Sequence, residues 1–482
     1  MNSRALDESK SRLSQRRQPL LTQQISYTCP RTRVVILNRA MKTRAFALAL
    51  SLTLFPACAA SQTASPSQPP PSLFVKAGRL LDVQKGAYIE SAGIWIEGER
   101  IKEVGRASEI QPHVPKTARI IDLGKLTVLP GLIDCHTHIM AREPEGPDGY
   151  IVMLATKSQS FRALEGAYNA RITLQAGFTS IRDVESEGSG YSDVALRDAI
   201  EQGLAEGPRM QVATRAIAAV GQYNPFGVSP DLVNFPTGAQ MVSGVEEARR
   251  AVREQIGYGA DLIKVYADWM HPTLTVDEIR VIVEEAHQQG RKVAAHATTP
   301  QGIKNAITAG VDSIEHGHEA DREALEMMKA KGVFLVPTIA GTDAAVEKYK
   351  NQPESDRRAR ILAFLANRQQ SIQQAMQQAM SLGVKIAMGY DASGPERQGK
   401  NVAELVAMTK RGMSPLEVLR AATVNAAELL SWQDRVGAVE PGKYADLIAV
   451  DGDPLTDISV LQQVKFVMKG GAIVKDILPG RN

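Results

Sequence analysis

Short runs dense in apolar residues recur along the middle of the chain, each followed by a longer stretch in which apolar positions return every three or four residues. Eight such runs are present, at 132–138, 179–184, 209–215, 261–266, 292–296, 312–316, 333–338 and 384–390. A run too short for a helix, followed by a helical period, reads as a strand and its crossover helix. Residues 276–289 show the helical half of the unit: Ile279, Val283 and Ala286 fall on one face, and the pattern stops at Gly290. Eight successive units of this kind predict an α/β fold, a parallel (β/α)8 TIM barrel over residues 130–425. The flanks are patterned differently. Residues 73–77, 93–97, 100–104 and 119–122 are short β-like runs with turns between them, and the texture returns at 445–450 and 464–469, after the turn-rich Glu440-Pro441-Gly442-Lys443. They predict a small β-sandwich domain formed from both ends of the chain, residues 73–129 and 426–482.

Composition fits this picture. The 482 residues are 44% hydrophobic and 23% charged, a globular balance with apolar residues enough for a sizeable core. Charge changes the picture at the N-terminus, where the first 72 residues hold ten Lys or Arg against two Asp or Glu, while the remainder holds 46 against 51. The basic excess therefore lies in a leader and not on the folded body, which removes nucleic acid as a partner. Residues 1–40 carry no periodic pattern and precede a second methionine, so the expectation is a spurious or disordered extension with translation beginning at Met41. Lys42 and Arg44, the apolar run 45–55 and the small residues Ala57-Cys58-Ala59-Ala60-Ser61 then form a secretory signal peptide over 41–60. That run is too short to span a bilayer as a transmembrane helix. Residues 61–72, rich in Ser, Gln and Pro, read as a linker. The expected location is periplasmic or secreted. Phe55-Pro56-Ala57-Cys58 loosely resembles a lipobox without the usual aliphatic residue, which leaves lipid anchoring through Cys58 as the alternative. Cys29 and Cys58 fall in the leader, so the body keeps Cys135 alone and forms no internal disulfide.

The chemistry gathers at strand ends. His136 and His138 close the first barrel strand, and residues two apart on a strand point the same way, so both imidazoles can meet one ion. A lone His-x-His is equally two ordinary polar residues. Lys264, His296, His316 and Asp391, however, each close or nearly close a further predicted strand, and the C-terminal strand ends of such barrels build the active site. Four of the eight histidines thus converge on one mouth with a lysine and an aspartate.

At these residues the sequence resembles the metal-dependent amidohydrolase superfamily. The likeness is carried by Leu129-Pro130-Gly131-Leu132-Ile133-Asp134-Cys135-His136-Thr137-His138, Ile263-Lys264-Val265, Ala295-His296-Ala297, Ile314-Glu315-His316-Gly317, Asp391 and Pro441-Gly442-Lys443-Tyr444-Ala445-Asp446-Leu447. It covers about residues 73–477 and is strongest to the branch of imidazolonepropionase-like Xaa-Pro dipeptidases and ochratoxin-degrading amidohydrolases. The resemblance implies a binuclear centre of two divalent ions, zinc by the imidazole-rich donor set. His136, His138 and Asp391 would hold one ion, and His296 and His316 the other. Lys264 would bridge them after reacting with carbon dioxide, because a carbamate offers two oxygens where an ammonium offers only donors. It also implies a hydroxide shared by the ions as nucleophile and Asp391 as the catalytic proton shuttle.

Around this core, Tyr266, His271, Arg215 and His318 are candidate substrate-binding residues, each with an alternative role in packing or in supporting the ligands. Arg182 and Asp183 are further candidates for support, whereas His113 and His287 read as surface residues. The long loop 221–238, with Tyr223, Phe226 and Phe235, is expected to wall or cover the mouth. The leading functional expectation is hydrolysis of an amide in N-acyl amino acids or dipeptides, ochratoxin-type amides among them. A lactonase or esterase, a mononuclear aminohydrolase and a non-catalytic binding protein are the alternatives. The resemblance further suggests a homo-oligomer.

Overall fold

The computed structural model describes residues 71–478 apart from 147, 224–227, 230, 233–234 and 270. The readings of the leader, the signal peptide, Met41 and Cys58, and of Phe226 in the loop, lie outside the described residues. Five strands open the body: β1 (Ser72–Asp82), β2 (Ala87–Glu97), β3 (Arg100–Arg106), β4 (Arg119–Asp122) and β5 (Thr127–Pro130). The barrel wall follows with β6 (Leu132–Thr137), β7 (Phe178–Asp183), β8 (Arg209–Val212), β9 (Ala216–Ala219), β10 (Ala239–Val242), β11 (Leu262–Tyr266), β12 (Lys292–Ala297), β13 (Ser313–His316) and β14 (Phe334–Val336). All neighbours in it pair in parallel, in the orders β6-β7-β8 and β10-β9-β11-β12-β13-β14.

Two seams close the ring. Asp261 N–H donates to Val212 O at 2.8 Å, joining β8 to the start of β11. On the other side Leu335 bridges to Ile386 in parallel, and Cys135 N–H donates to Met388 O at 2.8 Å. The eighth expected strand, 384–390, is therefore an isolated bridge and a few hydrogen bonds instead of a regular strand. Within that segment Gly389 is required, because a Cβ there would lie 2.6 Å from His136 Cβ. The third expected strand also ends early, at Val212, because Thr214 turns the chain with φ of 62°. The short parallel pair β9–β10 beyond it was not anticipated, and it spans the base of the 221–238 loop.

Helices cover the outside of the wall. The helix Val276–Gln288 starts with a reciprocal Thr275–Glu278 capping box, and Ile279, Val283 and Ala286 are buried as expected, together with Val281 and Ile282. Its buried face is wider than the sequence period suggested because it packs between neighbouring helices as well as on the barrel. Among the described residues no helix is long and apolar enough to cross a membrane.

The last strands, β15 (Leu447–Val450), β16 (Phe466–Lys469) and β17 (Ala472–Asp476), return to the first. Both ends of the chain thus form one continuous eight-stranded sheet, ordered β17-β16-β15-β5-β1-β2-β3 with β4 beside β1. β5 is its joint, parallel to β1 and antiparallel to β15, and it runs through Gly131 directly into β6. Gly131 is required there, since a Cβ would sit 2.1 Å from Thr179 Oγ1. The sheet thereby fixes the strand that carries the His-x-His pair.

Candidate metal centre

A cavity of about 390 Å³ opens at the C-terminal ends of the barrel strands. His136, His138, Lys264, His296, His316 and Asp391, contributed by four separate strand ends and the bridge segment after β14, all line it. Tyr266 and His318 line it too.

His136, His138 and Asp391 converge most closely, with ligand atoms all within 4.8 Å of one another. Asp391 Oδ1 lies 3.3 Å from His138 Nε2 and 3.8 Å from His136 Nε2. Ligand atoms about 2.0–2.1 Å from a tetrahedral zinc stand roughly 3.3–3.4 Å apart, so this donor set fits a divalent ion. The backbone locks the geometry, since Asp391 N–H donates to His136 O at 2.9 Å. Beside them, the rings of His136 and His316 are 5.0 Å apart and those of His296 and His316 are 4.5 Å apart.

Three of the four imidazoles have a polar group behind them. His136 Nδ1 meets Glu315 Oε2 at 2.7 Å, leaving Nε2 toward Asp391. His316 Nδ1 pairs with Thr338 Oγ1 at 2.7 Å. His138 Nδ1 is 2.9 Å from Glu187 Oε1 but off the line of a hydrogen bond. Glu315 in turn accepts from Arg182 Nη2 at 2.7 Å and from Ser313 Oγ at 2.5 Å. Such supporting groups set which nitrogen faces an ion. Burial drives His136 down to about 4, aided by the charge of Lys264, and the same burial holds His296 and His316 well below the usual histidine range. These imidazoles are neutral, the form that ligates. Burial also lowers Lys264. Burial acts to raise Asp391, but the hydrogen bond from His138 and the charges of the neighbouring imidazoles outweigh it and keep the carboxylate well below its ordinary value.

Strain concentrates in the same place. Among the described residues seven non-glycine positions have positive φ, and Glu187, His316, Thr338 and Asp391, which line the cavity, are four of them. Backbone held in the left-handed region costs about 1–3 kcal/mol per residue and marks sites shaped for function.

Two expected substrate contacts fall elsewhere. His271 is exposed and outside the lining, because a tight turn with Trp269 N–H on His271 O (3.2 Å) sends the Trp269 ring into the cavity and His271 outward. Arg215 follows the turn at Thr214 and spends its guanidinium on Ala239 O at 3.0 Å. His113 and His287 pair at the surface with Glu103 and Asp312, as expected. Sequence reasoning missed Glu143, Glu187, Trp269 and Arg368 in the lining. Trp269 and Glu187 had a signal, since each sits just past a strand already carrying a site residue. Arg368 had none, lying within the 27-residue helix Asp356–Leu382. Tyr266 stacks on Trp269 with centroids 4.8 Å apart, and its hydroxyl donates to Glu185 Oε2 at 2.5 Å. Tyr223, from the expected covering loop, hydrogen-bonds the other oxygen of Glu185.

A parallel barrel with imidazoles, a lysine and a carboxylate that could hold a metal ion gathered at its mouth is the architecture of a barrel hydrolase. The chain matches the amidohydrolase family over residues 127–474, and it belongs to that family as a hydrolase of amide bonds. It is 32% identical over 423 residues to the ochratoxinase of Aspergillus niger, covering 81% of this chain and 84% of that protein. A solved Xaa-Pro dipeptidase with methionine bound in its active site shares 33% identity at a TM-score of 0.73, covering 83% of this chain and 99% of that one. A prolidase complexed with N-methylphosphonate-L-proline shares 32% identity at a TM-score of 0.73, over 84% and 100%.

Proposed function

We propose that this enzyme is a binuclear hydrolase that releases an amino acid from N-acyl amino acids or dipeptides, with ochratoxin-type amides within its range. The observation that carries the reading is the convergence of four imidazoles, Lys264 and Asp391 on one cavity. The names of the ochratoxinase, dipeptidase and prolidase relatives support the choice of amide and of an amino acid product.

In this reading His136, His138 and Asp391 would hold one divalent ion and His296 and His316 a second, with Lys264, as a carbamate formed with carbon dioxide, offering an oxygen to each. Zinc suits the imidazole-rich set. Divalent ions at such a site polarise the scissile carbonyl and acidify water. Asp391, kept ionised by its neighbours, accepts the proton of the attacking water on its carboxylate. It returns that proton to the amide nitrogen, which leaves as an amine because an amide anion is a very poor leaving group. Glu315, pinned by Arg182 and Ser313, keeps His136 in the tautomer that presents Nε2. Tyr266 and Trp269 form an aromatic wall that excludes water from one side of the reacting bond. The signal-like segment 41–60 supports export to the periplasm or medium, with anchoring through Cys58 as the alternative, and the active form is proposed to be a homo-oligomer.

The test is metal analysis of the purified protein, paired with amino acid release from a panel of N-acyl amino acids and dipeptides before and after chelation. About two zinc-like ions per chain and chelator-sensitive release are expected. One ion per chain with ammonia as product overturns the binuclear reading, and two ions with turnover of lactones or esters alone overturns the amide.

A further inference from the structure

We propose that Arg368 is the receptor for a carboxylate of the substrate, which makes the anionic amino acid half of the amide the part that selects this enzyme. The inference rests on the amide-hydrolase reading of the cavity and adds the residue and the charge that set its specificity.

Arg368 projects from the helix Asp356–Leu382 into the cavity wall, one turn beyond Phe364 and Leu365, which line it as well. Its Nη2 donates to His318 Nδ1 at 2.8 Å, while Nε is buried without a hydrogen-bond partner. Among the described residues no carboxylate lies within ion-pair distance of it. The acids that act on it, Asp391 and Glu319, do so from farther away. A guanidinium carries five donors in a planar fork, and a buried donor left unmatched costs stability. An arginine that is half-buried, held by one nitrogen and turned toward an open cavity is therefore an incomplete site, and the group that completes it is a planar anion.

His318 keeps the fork in place. Its Nε2 pairs with Pro337 O at 2.9 Å, so the ring donates there and accepts from Arg368 at Nδ1. Charge elsewhere in the cavity gives the same direction. Glu143 and Glu187 line the opposite side, beyond the first and second barrel strands, whereas His318 follows the sixth, half-way round the ring. A carboxylate is repelled by that acidic side and attracted to Arg368. Ala345, Phe364 and Leu365 beside Arg368 supply apolar surface for the hydrocarbon of the same amino acid. The carboxylate is either the α-carboxylate or a side-chain carboxylate of that residue; both present the same two oxygens.

Calorimetric binding to the metal-loaded protein separates the two and does not require turnover. The probes are L-phenylalanine against L-phenylalaninamide and L-glutamate against L-glutamine, with the wild type, Arg368→Gln and Arg368→Lys. The wild type is expected to prefer the carboxylate member of at least one pair by about tenfold to a hundredfold, the range of a charge-assisted hydrogen bond. Arg368→Gln should abolish that preference, and Arg368→Lys should keep part of it, because the charge remains and the fork is lost. A preference confined to the phenylalanine pair assigns the α-carboxylate, and one confined to the glutamate pair assigns the side chain. Equal binding within both pairs, no binding of any probe, or a preference that survives in a folded Arg368→Gln overturns the proposal. Failure of the hydrolase reading shows up separately, as an amide panel left uncleaved by a protein that still discriminates the probes.

Discussion

Asp391 combines three properties in one side chain: a left-handed backbone, a carboxylate within 3.3 Å of His138 Nε2, and a main-chain hydrogen bond to the histidine strand. Asp391→Asn keeps the shape and removes the oxygen proposed to accept the proton, so turnover of any cleaved amide should fall at least about a hundredfold, the lower end for loss of a general acid–base group. Circular dichroism should stay unchanged. Gly389 acts on the same strand through space alone. Gly389→Ala places a methyl against His136 and Val336, and should lower stability by about 1–3 kcal/mol, as overpacked cores do, with loss of metal occupancy measured alongside by elemental analysis. At this scale the sequence was informative wherever chemistry follows strand alternation: His136, His138, Lys264, His296 and His316 all reach the cavity. It misled at His271 and Arg215, where a turn and a positive φ redirect the chain, since neither leaves a mark in hydrophobic pattern.

Among elements, Arg182 is the tie. From the end of β7 it donates to Cys135 O of β6 at 2.6 Å and to Ser313 and Glu315 of β13, so one side chain crosses the barrel interior and joins three strands. Glu315 is fully buried, and burial alone would raise its pKa; Arg182 and His136 hold it well below the ordinary glutamate range. Arg182→Leu leaves that carboxylate without its main partner and should cost about 3–5 kcal/mol, read as a lowered Tm by calorimetry. Arg182→Leu combined with Glu315→Leu should recover part of the loss. Seven of the eight expected barrel strands were legible because each is a buried apolar run bounded by turn residues. The eighth, 384–390, has the apolar run but is held by bridges, and β9–β10 are four-residue strands too short to stand out from the loop they flank.

For the molecule as a whole, the decisive element is the sheet made from both ends. Leu447, Ile448 and Ala449 pair with β5, and Arg209 at the start of β8 both pairs with Asp446 (3.2 Å) and lies over Tyr444 at 3.6 Å. Truncation after Gly442 removes β15–β17 and bares the edge of β5, so the truncated chain should be insoluble or aggregate on size-exclusion chromatography, even though the residues lining the cavity are all present. The two-ended β-domain was readable because its flanking runs share one texture, while the single-sheet order was not, since nothing local tells β15 to choose β5.

That arrangement also sets a timetable. β5 finds its antiparallel neighbour more than 300 residues later in the chain, so during synthesis the support beneath β6 stays open until the whole barrel has been made. The strand that carries the His-x-His pair therefore gains its full support last. A chain built this way carries an unpaired strand edge through the making of the whole barrel, and whatever shields that edge in the interval decides how much enzyme is made.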